Sequence, residues 1–189
     1  MTLCPRQAVR IASRTYSSPA RRWQRVKLGS RTVIAIRGTS TLEDLKINAD
    51  LAPERYDGVD FHRGWLREAR RARETLLADG EMPADVWFTG HSSGGAIAVV
   101  LAYMLWREHG IRARAVTFGC PPFVHSDERM RQVRRVVEVQ NFVTRGDFVS
   151  RIPLGVQIHD SQVLGNEPGG GVLRPFQQHR ASTYARLVS

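Results

Sequence analysis

The sequence is poor in cysteine, in lysine and in long apolar runs. Its two cysteines, Cys4 and Cys120, have neither zinc-site nor C-x-x-C spacing, so nothing suggests a metal or redox scaffold. Cys120 follows an apolar run and reads as a small buried side chain. No stretch approaches the about 18 uninterrupted apolar residues that a membrane helix needs. The opening MTLCPRQAVRIASR lacks the apolar centre of a secretory signal; the default expectation is a cytoplasmic protein, with signal-independent export as the alternative. Lysine occurs only as Lys27 and Lys46, so the net charge of +10 is carried almost wholly by arginine. Basic residues bunch near 18–22, 67–73 and 129–135. Such a surface attracts anions in general, acidic membrane lipids and nucleic acid included. No zinc finger, RNP-type aromatic strand or KH-type glycine loop accompanies the charge, which argues against nucleic-acid binding.

What is present suits one globular domain over 1–189. The 189 residues, 42% hydrophobic and 24% charged, suffice for a sizeable core. There is no repeat or low-complexity tract, and Asn166-Glu167-Pro168-Gly169-Gly170-Gly171 reads as a surface loop. Residues 5–16 carry Ala8, Ile11, Ala12 and Tyr16 at helical spacing. Trp23–Leu28 and Thr32–Arg37 flank Gly29-Ser30 as a hairpin would. Strand-like and helix-like runs then alternate: strands at 32–36, 85–89, 113–119 and 136–143, helices at 62–78, 94–107 and 127–135. The 94–107 helix is apolar almost all round and should be buried. A last strand is expected within 156–164 and a closing helix over 177–187. This alternation predicts an α/β fold with a mainly parallel central sheet and helices on its faces.

Within that layout, Gly90-His91-Ser92-Ser93-Gly94 falls where a strand's carboxyl end turns into a helix. It fits G-x-S-x-G, a turn tight enough to require glycines two residues either side of a strained, outward-pointing serine. The following helix directs its free N–H groups and positive dipole end at a reacting carbonyl, and the Ser93 N–H would be one oxyanion donor. Such a serine needs a base and an orienting acid, in the chain order serine, acid, histidine. Asp147 follows the strand 136–143 through a turn and lies at the same edge as Ser92, whereas Asp127 reads as a first-turn helix acid. Asp160 comes after His159 and would leave only His179 as partner. His109 ends a helix and His125 stands at a helix start, which leaves His159 and His179 as candidate bases. His179, in a loop after the glycine run, is favoured over His159, which alternates with apolar residues in a strand. Arg37-Gly38-Thr39-Ser40 follows an earlier strand, and Thr39 would supply the second oxyanion donor through its N–H and hydroxyl.

These motifs resemble the class 3 lipases, the family of the fungal triacylglycerol lipases. Val33–Thr39 is similar to the family's apolar strand ending in Arg-Gly-Thr/Ser, and His62-Arg63-Gly64-Trp65-Leu66 to its His-Lys/Arg-Gly-Phe-Leu segment. Thr89–Ala96 matches Thr-Gly-His-Ser-Leu-Gly-Gly-Ala with serine for leucine at 93. Val116–Pro121 resembles Thr-Phe-Gly-x-Pro, and Asp147–Pro153 resembles Asp-x-Val-Pro-x-x-Pro. The resemblance implies an α/β-hydrolase fold, a nucleophile at Ser92, an orienter at Asp147, a base at His179 and oxyanion donors at Thr39 and Ser93. It implies ester hydrolysis without metal or organic cofactor, on a glycerolipid or phospholipid, with transient contact to an anionic lipid interface. A small soluble ester, or a hydrolase-fold binding module without turnover, are the alternatives. Two departures stand out. Tyr184 lies five residues beyond His179 where the family has an aromatic two residues on, and Ser93 removes a large apolar side chain. Residues 40–61 occupy the lid position, with Leu42, Leu45 and Leu51 as an apolar face tempered by Glu43, Asp44 and Lys46.

Overall fold

The computed structural model describes residues 2–17, 22–39, 50–152, 161–165 and 178–188. Eight strands and five α-helices are described among them. In chain order they are α1 (Pro5–Arg14), β1 (Trp23–Leu28), β2 (Arg31–Ile36), β3 (Pro53–Tyr56), β4 (Val59–His62), α2 (Arg63–Ala78), β5 (Asp85–His91), α3 (Ser93–His109), β6 (Arg112–Phe118), α4 (Asp127–Arg134), β7 (Glu138–Thr144), β8 (Gln162–Leu164) and α5 (Ala181–Leu187). Six strands form one sheet in the order β1-β2-β5-β6-β7-β8. The β1–β2 hairpin is antiparallel and every later pairing is parallel.

Parallel strands must be buried on both faces, and the sequence provides for it. On β2, Ile34 and Ile36 join one core with α2 and α3, while Val33 and Ala35 join a second core under α1 and α5. The period of two along the strand thus feeds both layers. Helix α3 sits at the centre of the first core, with every residue from Ser93 to Leu105 buried. It ends at Gly110, whose left-handed φ of +64° closes the last turn. Helix α2 is one-sided. Trp65, Leu66, Ala69, Ala72 and Leu76 face α3, and several of its arginines reach carboxylates. Arg63 bonds Asp50 at 2.6 Å, Arg73 bonds Glu108 at 2.5 Å, and Arg70 pairs with Glu54. Ser126 caps α4 by accepting the Arg129 N–H at 3.3 Å, with Asp127 and Glu128 in the first turn. Cys4 is exposed, Cys120 is buried, and both are free thiols.

One element was not separated in the sequence. Residues 53–61 of the expected lid region, with His62 from the start of the expected helix, are the second, two-stranded sheet, β3–β4, closed by Asp57-Gly58 with φ of +47° and +80°. Each strand is only four residues long, β3 has adjacent charges at Glu54 and Arg55, and β4 has just two apolar residues, so the segment lacked the apolar weight that marks a strand. Phe61 is fully buried against Tyr103, which pins the hairpin to α3. Leu51 is exposed, and Leu42, Glu43, Asp44, Leu45 and Lys46 lie outside the described residues. The last strand is shorter than expected, at Gln162–Leu164, with 156–160 outside the described residues.

Candidate active site

The parallel register brings four strand ends to one edge. Ile36 pairs with Gly90, His91 with Phe118, and Phe118 with Phe142, so the segments following β2, β5, β6 and β7 converge there. Open α/β sheets place their sites at this carboxyl edge. Ser92 stands at the β5–α3 junction with φ +56° and ψ −133°, one of two described non-glycine residues at positive φ. That conformation costs on the order of 1–3 kcal/mol and persists only where the surroundings impose it. Here they do: the Ser92 N–H donates to the Phe118 carbonyl at 2.9 Å, and its own carbonyl accepts from Gly95 N at 2.8 Å.

Three side chains meet at this turn. His179 Nε2 lies 2.7 Å from Ser92 Oγ, and His179 Nδ1 lies 2.7 Å from Asp147 Oδ2. A carboxylate only accepts, so Nδ1 carries the proton, and neutral Nε2 accepts from the Ser92 hydroxyl. Asp147 is fully buried. Burial works to raise its pKa, but the hydrogen bond and charge of His179, with donors from Tyr184 and the Ser150 N–H, more than offset this and hold it below the usual carboxylate value. Gly119, at φ +57°, makes the space: a methyl there would stand 2.8 Å from Asp147 Oδ2 and 3.1 Å from His179 Cε1.

The loop after β2 is clamped onto the same turn. A methyl at Gly94 would run into the Ile36 carbonyl and stand 2.7 Å from Gly38 N, so two backbones touch where both residues lack side chains. Thr39 therefore reaches the helix start. Its N–H donates to Ser93 Oγ at 2.8 Å, and its own Oγ1 lies 3.3 Å from the same atom. The expectation for Ser93 was a backbone N–H donor, with a small side chain that removes the family's large apolar one. Its hydroxyl instead holds the other expected donor. Ser40 and His159 lie outside the described residues.

A model of the family Lipase (class 3) matches residues 33–157, a span that runs from β2 through Asp147. The chain belongs to the class 3 lipase family. Among solved structures, Rhizomucor miehei triacylglyceride lipase superimposes with a TM-score of 0.63 at 19% identity, covering 85% of this chain and 77% of that one. The mono- and diacylglycerol lipase of Aspergillus oryzae gives 0.60 at 20% identity, covering 75% and 56%. The lipase of Rhizopus microsporus var. chinensis gives 0.56 at 19%, covering 69% and 51%. At these identities the likeness establishes the α/β-hydrolase fold. Protein EDS1L of Arabidopsis thaliana is 42% identical over 79 residues, 35% of this chain and 12% of that protein. The class 3 lipase chain thus spans about half the length of the Rhizopus microsporus enzyme and a small part of EDS1L.

Around this class 3 lipase site stand three residues that the sequence reading gave no role. Tyr184 Oη donates to Asp147 Oδ2 at 2.5 Å and accepts the Thr144 N–H at 3.2 Å. Burial, then the Asp147 charge, pushes its phenol well above the ordinary value. The five-residue step from His179 is accommodated because α5 begins at Ala181, and its first turn brings Tyr184 back to the carboxylate. His91, beside Ser92, donates from Nε2 to the His179 carbonyl at 2.5 Å, which leaves Nδ1 to accept from Tyr16 Oη at 3.0 Å. Burial foremost, then the neighbouring His179, push the His91 pKa down to about 3. Tyr16 is driven up to about 12, chiefly by burial. For His91 a signal existed in the motif itself; for Tyr16 and Tyr184 the partners are 75 and 37 residues away, beyond any local pattern.

Proposed function

We propose that this protein is a serine esterase or lipase that cleaves carboxylic esters of a glycerolipid or phospholipid through an acyl-enzyme on Ser92. The observation that carries the reading is the pair of 2.7 Å contacts running from Ser92 through His179 to Asp147. His179 takes the Ser92 proton as Oγ attacks the ester carbonyl carbon. The carbonyl oxygen becomes an oxyanion facing the N–H groups of Ser93 and Thr39. Collapse of the adduct expels the alcohol, which His179 protonates. Water, deprotonated by His179, then attacks the acyl-enzyme and releases the acid, restoring Ser92. Asp147 keeps the imidazole in the productive tautomer and stabilises its cation. Every step uses groups of the chain and water. An apolar, lipid substrate is favoured by Phe148 and Ile152, large side chains 37% and 43% exposed on the turn directly after Asp147.

The test is fluorophosphonate labelling of wild type and Ser92→Ala, beside hydrolysis of esters of rising acyl length below and above their aggregation point. Labelling and turnover should vanish in Ser92→Ala, and rates should climb above aggregation. Full-strength labelling of Ser92→Ala would remove Ser92 as nucleophile. Rates indifferent to aggregation would point to a small soluble ester, and a wild type that neither labels nor turns over would point to a binding module.

A further inference from the structure

The residue after the nucleophile contributes its N–H to the oxyanion wherever this turn occurs, so its side chain is free to vary. Here it is a serine in the first position of α3. Its Cβ leans toward the helix N-terminus, as every helical Cβ does, and so toward the β2 loop. Ser93 is fully buried, and its Oγ accepts the Thr39 N–H at 2.8 Å with Thr39 Oγ1 at 3.3 Å. An apolar side chain at 93 could accept nothing, and the Thr39 N–H would then face the site without a partner. We infer that the Ser93 hydroxyl is the resting acceptor of the oxyanion hole, occupying the Thr39 N–H in the free protein and ceding it to the charged oxygen of the reacting ester.

Acceptor strength decides the exchange. A neutral ester carbonyl is no better an acceptor than a neutral hydroxyl, so a ground-state substrate gains little by displacing Ser93. A developing oxyanion forms a charge-assisted bond roughly twice as strong, so the N–H transfers as negative charge builds. The released hydroxyl has a partner at hand, because Thr39 Oγ1 lies within reach of its proton. The Ser93 N–H, in the first turn of α3, has no carbonyl of its own helix to bond and is the donor that the first contact uses. The hole is therefore half closed to substrate and fully open to the transition state, which places the cost of Ser93 in KM rather than in kcat.

The kinetic arm of the test rests on the serine-hydrolase reading; the spectroscopic arm does not. In Ser93→Ala the Thr39 N–H is released before substrate arrives, so KM for p-nitrophenyl butyrate should fall about two- to tenfold, the range that one neutral hydrogen bond is worth. The value of kcat should stay within about twofold, because ground and transition states gain alike. Ser93→Gly, which removes the hydroxyl without adding a methyl, should match it. Independently of turnover, the Thr39 amide measured by NMR hydrogen exchange without ligand should exchange at least about tenfold faster in Ser93→Ala than in wild type, since one neutral hydrogen bond is lost. A tenfold fall in kcat at unchanged KM would overturn the inference by making the hydroxyl a transition-state donor. Unchanged Thr39 exchange would overturn it by showing that the contact is not made in solution. If wild type shows no turnover, the serine-hydrolase reading fails while the amide measurement still decides between an occupied and an open Thr39 N–H.

Discussion

Asp147 accepts from His179, from Tyr184 and from the Ser150 N–H, so a buried carboxylate is fully ringed by donors. Removing one donor leaves the others intact and exposes its individual worth. Tyr184→Phe deletes the phenol O–H from Asp147 and leaves the Thr144 N–H without an acceptor; hydrogen bonds to charged groups contribute about 1.5–3 kcal/mol. The variant should lose about that much stability, read from its urea midpoint. His91 gives a pH-dependent counterpart. Its pKa is about 3 in the folded protein and about 6.5 when unfolded, so between those values the unfolded chain binds a proton that the native state refuses. Stability is fully present above pH 6.5 and falls as pH drops toward 3, by up to about 1.4 kcal/mol per unit. Asp147, also depressed, begins to lose its contribution only below the ordinary carboxylate value near pH 4, so above pH 4 it adds nothing to the change that His91 produces. His91→Gln keeps a donor toward the His179 carbonyl and abolishes the titration. Urea midpoints at pH 7 and pH 5 should therefore differ more in wild type than in the variant, where His62, also depressed by burial, still titrates.

At the scale of elements, the decisive contact is backbone on backbone where the β2 loop meets the start of α3. Gly94→Ala would force Ile36, Arg37 and Gly38 away from the helix, because the atoms in the way are main chain and cannot rotate aside. Overpacking of this kind costs about 1–3 kcal/mol, and displacing one oxyanion donor costs about 10²–10³ in kcat. A folded but nearly inactive variant is expected, checked by circular dichroism and steady-state kinetics together. The same elements show what the sequence made legible. The parallel strands and α3 announced themselves because two-sided burial writes continuous apolar runs such as Val86-Trp87-Phe88, and the glycines around Ser92 marked the elbow because no other residue fits there. Asp147 could be placed by its strand end, whereas His179 was only favoured over His159, as a loop position over a strand one. The β3–β4 hairpin was missed because its strands are only four residues long and its deep apolar anchors are just Val59 and Phe61. The Ser93–Thr39 bond was missed because it joins residues 54 apart through a hydroxyl, a contact that periodicity does not record.

Across the whole molecule, arginine supplies the charge, yet much of it is paired. Arg63, Arg70, Arg71 and Arg73 along α2 all bond carboxylates, and Arg114 lies between Asp85 and Glu138. Surface pairs of this kind contribute at most about 1 kcal/mol each, but they break up the continuous cationic track that a phosphate backbone needs. A short DNA duplex should not be retained at about 0.15 M salt, and gel-shift titration across salt concentrations would reveal any exception.

His179 reaches Ser92 on residues 178–188, a segment tied to the body at Thr144, His91 and Asp147 and by the packing of α5 on α1. Ser92, by contrast, is built into the junction of the central strand and helix. On the proposed mechanism the protein can therefore disarm without unfolding: a local opening of one short segment removes His179 while the sheet stays whole. Under mild denaturant, ester turnover should disappear before helical ellipticity does, and amides of α5 should exchange through a cheaper opening than those of α3. The catalytic assembly would then have a lower melting point than the architecture that carries it.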